Sequence, residues 1–378
     1  MTATLAPSRT AMPAAGMTTF AGLGLIAGSA WLSASQSEVL SAQPLVVPAA
    51  LAGGALLVFS RRSDSAFAIG GMVLPYLALP GLLGLIRETA GAVDGATWLT
   101  LAGCWLAAIV GVSYLADFRA RSGAVGRFRD LIVAGLFGLW IVLLWEAVVV
   151  GFKIPFVLLP PPSAIWVRLA SSVPILWIDF RQTFLKAVLA GYAIGCMSGF
   201  LVAIVADRIP FMKRGLLPVG NLVSALPIIG IAPIMVMWFG FDWHSKAAVV
   251  AVMTFFPMLV NTVAGLSASE SMDRDLMHTY AASYGQSLLK LRLPAALPFI
   301  FNALKINSTL AMIGAIVSEF FGTPIVGMGF RISTEVGRMN IDMVWAEIAV
   351  AALAGSAFYG VIALIERATT FWHPSFRT

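Results

Sequence analysis

A chain of 378 residues that is 59% hydrophobic and only 11% charged is not an ordinary soluble domain, where roughly a quarter of residues are charged. Its mean hydropathy of +0.90 and modest net charge of +6 also exclude disorder. The basic excess includes no basic run interleaved with aromatics, so nucleic acid is not expected as a partner. The apolar runs are long and continuous, whereas barrel strands would alternate over segments of about 10 residues. An all-α polytopic membrane protein is expected.

A span needs about 20 mainly apolar residues to cross a core of roughly 30 Å. Ten spans are expected, at 17–34, 45–60, 66–86, 97–116, 131–151, 184–206, 215–240, 247–266, 297–318 and 343–365. The second is short and contains Pro48. With the N-terminus in the cytoplasm, 15 of the 24 basic residues lie inside, among them Arg61, Arg62, Arg119, Arg121, Arg127 and Arg129. Eight lie in or beside outside loops, chiefly 152–183, and Lys305 lies within a span. This asymmetry predicts cytoplasmic placement of both termini. The first apolar run has no small-x-small cleavage site and further spans behind it, so a signal peptide is not expected. Residues 117–130, with four arginines and two aspartates, separate an N-terminal extension of about four spans (1–130) from a C-terminal domain of about six (131–378).

Several chemistries are missing. No G-x-x-x-x-G-K-[ST] loop occurs, so the chain is not expected to hydrolyse ATP by that route itself. His244, His278 and His373 share no ligand spacing with Cys104, Cys196 or carboxylates, so no metal site is expected. Neither H-E-x-x-H nor G-x-S-x-G occurs; no catalytic residue and no cofactor is assigned. Glu146 and Glu347 stand near the ends of their spans, from which a carboxylate can reach headgroups or water.

The inside connection at 267–296 is the most informative segment. Asp273, Arg274 and Asp275 open a helix whose positive end suits acids. Leu276, Met277, Tyr280 and Tyr284 give it an apolar face. A bend at Ala281-Ala282-Ser283 and a second helix stopped by Pro294 complete the expected geometry. An exposed apolar helix at the cytoplasmic surface needs a partner or the membrane to cover it.

On these residues the chain resembles the permease subunits of binding-protein-dependent ABC importers. Their pattern E-A-A-x3-G-x9-I-x-L-P falls on Asp275-Leu276-Met277, Ala281, Leu291, Leu293 and Pro294, with Asp for Glu, Leu-Met for the alanines and Ala281 for the glycine. IPFVLLPPPSAIW (154–166), FFPMLVNTVAGL (255–266), LKINSTLAMIGAIVSEFFG (304–322) and GMGF (327–330) are similar to ordered segments of the nitrate/sulfonate/taurine-like branch. KLRLP and AIVSEFFG look like the group within it that carries thiamine-pyrimidine precursors and riboflavin. The resemblance covers about 135–378 and leaves the first 130 residues without a counterpart.

The resemblance implies a type I importer permease core in the bacterial inner membrane. It implies cytoplasmic ABC ATPase subunits, an extracytoplasmic solute-binding protein and a second permease copy or paralogue as partners. Residues 267–296 would supply a coupling helix, with Leu276, Met277 and Tyr280 as apolar anchors and Asp273, Arg274 and Arg292 as polar rim.

Gly191, Gly195 and Gly199 form a small-x3-small stripe that suits close helix packing. The 215–240 span carries Pro218, Pro227 and Pro233, and irregular backbone at membrane depth is tolerated where it is buried in protein or lines water. Asn221, Ser224, Pro227 and Trp238 of this span are candidates for the translocation path, with Asn261 and Thr262, and Asn307, Ser308 and Thr309, from its neighbours. Helix–helix hydrogen bonding is the competing role for them. An ion-coupled secondary transporter would show paired broken spans and deep carboxylates, and an intramembrane enzyme would show a nucleophile–base constellation; neither pattern is found.

Overall fold

The computed structural model describes residues 24–28, 65–117, 124–224, 227–322 and 326–372. The described residues are mostly helical and contain no strand. They fall into two compact units, Met1–Ala164 and Ile165–Thr378.

In the first unit, α1 (Ser65–Glu88), α2 (Gly95–Asp117) and α3 (Ala124–Gly151) pack together. Leu82, Leu85 and Ile86 of α1 meet Cys104 and Ala107 of α2 and Trp140 and Ala147 of α3, with Leu25 from the helical residues 24–28. The expected spans 66–86, 97–116 and 131–151 fall within these three helices. Those at 17–34 and 45–60 lie outside the described residues, apart from 24–28. Glu146 is not the water-reaching carboxylate expected of its position. It is 5% exposed, because Arg87 Nη2 (2.8 Å), the Ser163 amide (2.9 Å) and the Ser163 hydroxyl (2.7 Å) all donate to it.

Next in the chain comes α4 (Pro162–Ser171), and the second unit continues with α5 (Val173–Arg208), α6 (Pro210–Ser224), α7 (Ile228–Phe239) and α8 (Trp243–Ser267). After these come α9 (Ser271–Thr279), α10 (Tyr284–Glu319), α11 (Met328–Gly337) and α12 (Ile341–Thr369). Among the described residues five helices are long and apolar enough to cross a membrane: Asp130–Gly151 within α3, and α5, α8, α10 and α12.

The expected 215–240 span is two short helices, α6 and α7. Pro227 caps α7 in extended backbone (φ −68°, ψ 124°), and a proline offers no amide to carry a helix through.

The centre of the unit is α8, packed along α5 and α10. The glycine stripe makes this possible. A Cβ on Gly191 would stand 2.5 Å from the Ala247 carbonyl oxygen, one on Gly195 2.5 Å from that of Ala251, and one on Gly199 2.5 Å from that of Phe255. Close packing, expected from the spacing, is what the stripe does.

Candidate functional site

The helix α9 has no buried residue. Met272, Leu276 and Tyr280 are 77%, 55% and 79% exposed, and Asp273, Arg274 and Asp275 are exposed beside them, with Met277 half-buried. Asp273 lies in the first turn and His278 in the last, the arrangement the helix dipole favours. The helix ends in a Schellman turn: the Ala282 amide bonds the Met277 carbonyl (3.0 Å) and the Ala281 amide the His278 carbonyl (2.9 Å). Ala281 takes the left-handed conformation this turn demands, at φ +50°. Two residues later Ser283 begins α10 with a capping box, its amide donating to Gln286 Oε1 (2.8 Å) while the Gln286 amide donates to Ser283 Oγ (3.4 Å). The bend expected at 281–283 is therefore fixed by two reciprocal caps.

Pro294 does not stop the second helix, contrary to expectation. A π-helical turn at Leu288–Arg292 precedes it, and the α-helical pattern restarts at Leu293. Pro294 thus falls in the first turn of the new segment, where an amide is not needed. Leu288 and Leu293 pack on Met258 and Leu266 of α8 and Cys196 of α5, so this half of the loop belongs to the core while α9 stands free of it. Leu291, Leu293 and Pro294 are partly buried. Arg292 is held inside the unit by Asp207 and the Leu266 carbonyl.

The opposite end of the unit is a buried polar network that sequence patterns did not reveal. The first amides around α11 rest on carboxylates and a hydroxyl: Gly327 on Asp179 (2.7 Å), Gly329 on Glu319 (2.7 Å) and Met328 on Thr183 Oγ1 (2.8 Å). Anions at a helix N-terminus are stabilised by its dipole. Thr183 also donates to Glu319 (2.7 Å), and Arg331 Nε pairs with Asp179 at 2.8 Å. Lys246, 1% exposed, donates to the carbonyls of Phe241 and Gly322. Glu347, expected near water, is fully enclosed beside Asp179. Asp242, which caps α8, is kept below the usual carboxylate range, first by the Trp243 amide that bonds it. The only sequence-level signal of this network was a handful of polar residues near the ends of apolar spans.

The path candidates divide. Pro227 and Trp238 are exposed, and Asn261 is half-buried, its amide returned to the Pro257 carbonyl (2.8 Å). Thr262, Asn307 and Ser308 are fully buried, and Asn307 bonds the Thr254 carbonyl (2.7 Å) and Cys196 Sγ (3.2 Å) across α8 and α5. The side chains of Asn221 and Ser224 lie outside the described residues, and Thr309 is exposed. Among the described residues no group of three metal-ligating side chains occurs.

With five helices long and apolar enough to cross a membrane and one helix left free at one end, the described residues define a multi-pass membrane protein. Comparison with known proteins makes this specific. Residues 191–371 match the family of binding-protein-dependent transport system inner membrane components. The formylaminopyrimidine transport permease protein ThiX of Halalkalibacterium halodurans is 30% identical over 63% of the chain and 94% of its own length. The riboflavin transport system permease protein RibX of Chloroflexus aurantiacus is 29% identical over 61% and 86% respectively. The taurine transport system permease protein TauC of Escherichia coli is 26% identical over 57% and 80%. The chain belongs to this family: it is a multi-pass inner-membrane permease subunit of a binding-protein-dependent ABC importer, of the nitrate/sulfonate/taurine-like branch. Nothing in the comparisons supports an ion-coupled transporter.

Proposed function

We propose that α9 is the surface gripped by a cytoplasmic ATPase subunit, which supplies the ATP hydrolysis. The observation that carries this is the free helix itself. Leu276, Met277 and Tyr280 form its apolar anchors, Asp273, Arg274 and Asp275 its polar rim, and Ala281 its end. Leu291, Arg292, Leu293 and Pro294 hold the root of the same loop. Apolar side chains left this exposed need a partner or the membrane to cover them, and the charged residues interleaved with them on α9 favour a protein partner. Both termini face the cytoplasm, as does this loop, in keeping with the basic residues at 119–129 and 208–214.

A second permease copy or paralogue completes the path, and a solute-binding protein delivers the solute from the other side. The path is assigned to Asn221, Ser224, Pro227 and Trp238 of the broken span α6–α7 together with Asn261, Thr262, Asn307 and Ser308 of its neighbours. The solute is a small heterocycle, in keeping with relatives named for formylaminopyrimidine and riboflavin. Residues 1–130 are an added membrane extension to the transport domain at 131–378, since these relatives cover less than two thirds of the chain while matching most of their own length.

Tyr280→Asp and Met277→Asp test the docking surface. Each is expected to abolish co-purification of the ATPase while leaving the permease at normal abundance, because α9 contributes nothing to the core. Normal assembly of both variants, or contact of α9 with lipid headgroups alone in every nucleotide state, overturns the proposal.

A further inference from the structure

Asp207 is the penultimate residue of α5. A carboxylate there meets the negative end of the helix dipole, and its side chain is 3% exposed, so it is stable only against a cation. Arg292 supplies one as a fork, Nη1 to Oδ2 at 2.7 Å and Nη2 to Oδ1 at 2.7 Å. The same guanidinium reaches the Leu266 carbonyl through Nε (3.1 Å) and Nη2 (3.0 Å). That carbonyl belongs to the last turn of α8, where a helix leaves its acceptors unsatisfied. Tyr284 adds its hydroxyl to Asp207 (3.2 Å) and lies under Arg208, 5.3 Å from the ring centroid. One side chain thus joins the ends of α5 and α8 to the beginning of α10.

Its position is set by the π-helical turn Leu288–Arg292, which ends on it. A wide turn of this kind re-aims the residues it carries, and such turns gather at functional sites. Mechanics give the joint its meaning. With no buried residue and only Met277 half-buried, α9 has little packing of its own through which to pass a force. Any load on it leaves through its two connections, one running back to α8 and the other through the Ala281 turn and the Ser283 cap into α10. Both converge on Arg292.

We propose that Arg292 and Asp207 are a positioning pair that converts displacement of α9 into joint movement of α5, α8 and α10. This rests on α9 being the ATPase contact, and it assigns Arg292 to force transmission within the permease instead of to the docked surface. A fork bonded to two helix ends is stiff in the direction a flexible lysine is not.

The test uses the full importer in proteoliposomes, with solute uptake and ATP hydrolysis measured in the same vesicles. The paired variant Asp207→Leu with Arg292→Met removes the joint without leaving a buried charge unpaired, so the unit keeps its fold. The ATPase is expected to co-purify and hydrolyse ATP as before, while solute moved per ATP falls several-fold. Arg292→Lys keeps the charge but loses the fork, and is expected to fall between the two; it carries the same test should the paired variant accumulate poorly. Unchanged solute per ATP in either variant overturns the proposal. So does loss of ATPase co-purification in Arg292→Lys, which would return Arg292 to the docked surface. Failure of the underlying assignment reads out separately, as Tyr280→Asp permease that still holds its ATPase.

Discussion

The two ends of the transport unit solve opposite problems with similar residues. At the 267–296 end, apolar side chains face outward on α9, and a buried ion pair, Arg292 with Asp207, fastens the loop's root. At the other end, polar side chains face inward: Asp179, Thr183 and Glu319 take the amides of α11, and Lys246 takes two loop carbonyls. Each end also uses a π-helical turn, Arg181–Val188 for Thr183 and Leu288–Arg292 for Arg292. The difference teaches where rigidity is placed. The end with α9 is fastened at the Arg292–Asp207 joint and leaves α9 exposed. The far end is stitched: α11 is bonded to α5 and α10, and Lys246 of α8 holds the carbonyls of Phe241 and Gly322.

The largest expected effect lies in the stitched end. Asp179 is fully buried, and its cation is Arg331. Arg331→Ala leaves that carboxylate uncompensated, a loss of about 3–5 kcal/mol for breaking a buried pair. Thermal unfolding in detergent should show a markedly lower midpoint, whereas Arg274→Ala on the exposed helix should leave it unchanged. Equal midpoints for the two variants would erase the contrast between the ends.

A smaller effect is expected midway along the unit, on the packing that both ends share. Gly195→Ala forces a Cβ against Thr254 Oγ1 and the Ala251 backbone, and overpacking of this kind costs about 1–3 kcal/mol. Gly215→Ala, with nothing within 4 Å of the added atom, is the matched control. The same unfolding measurement should separate them, and no separation would mean that α5 and α8 part more readily than their contact suggests.

These features differ in how far the sequence announced them. The spans of α5, α8, α10 and α12 were legible because twenty apolar residues in a row admit few alternatives. The glycine stripe was legible because residues four apart lie on one face of a helix. The free helix α9 was legible as acids followed by apolar residues at helical spacing. Hidden from sequence were the pairings that join distant positions: Asp179 with Arg331 is separated by 152 residues and Asp207 with Arg292 by 85. The π-helical turns were hidden too, since they shift register without any residue that marks them, and so Pro294 was expected to end a helix that runs through it. Asp207 alone carries a local signal, because a carboxylate at the closing turn of a helix is misplaced for the dipole unless something cationic meets it.

The smallest effect sharpens the comparison at the open end. Ala281 occupies a left-handed position, φ +50°, where a Cβ crowds the following carbonyl and costs roughly 1–2 kcal/mol that glycine avoids. Ala281→Gly relieves that strain but also frees the unfolded chain, which lowers the net gain. A stabilisation of about 0.5–1 kcal/mol is therefore expected, because the Schellman bonds of Ala281 and Ala282 are made by backbone amides that glycine keeps. Hydrogen exchange of the 278–284 amides reads this locally, and slower exchange is the expected result. Faster exchange would mean that the methyl group of Ala281 holds the turn, and the bend would then owe its shape to side-chain contact and not to its caps. Because α9 hangs from this turn, a firmer bend should leave ATPase co-purification intact, and so separates the shape of the loop from the chemistry of its exposed face.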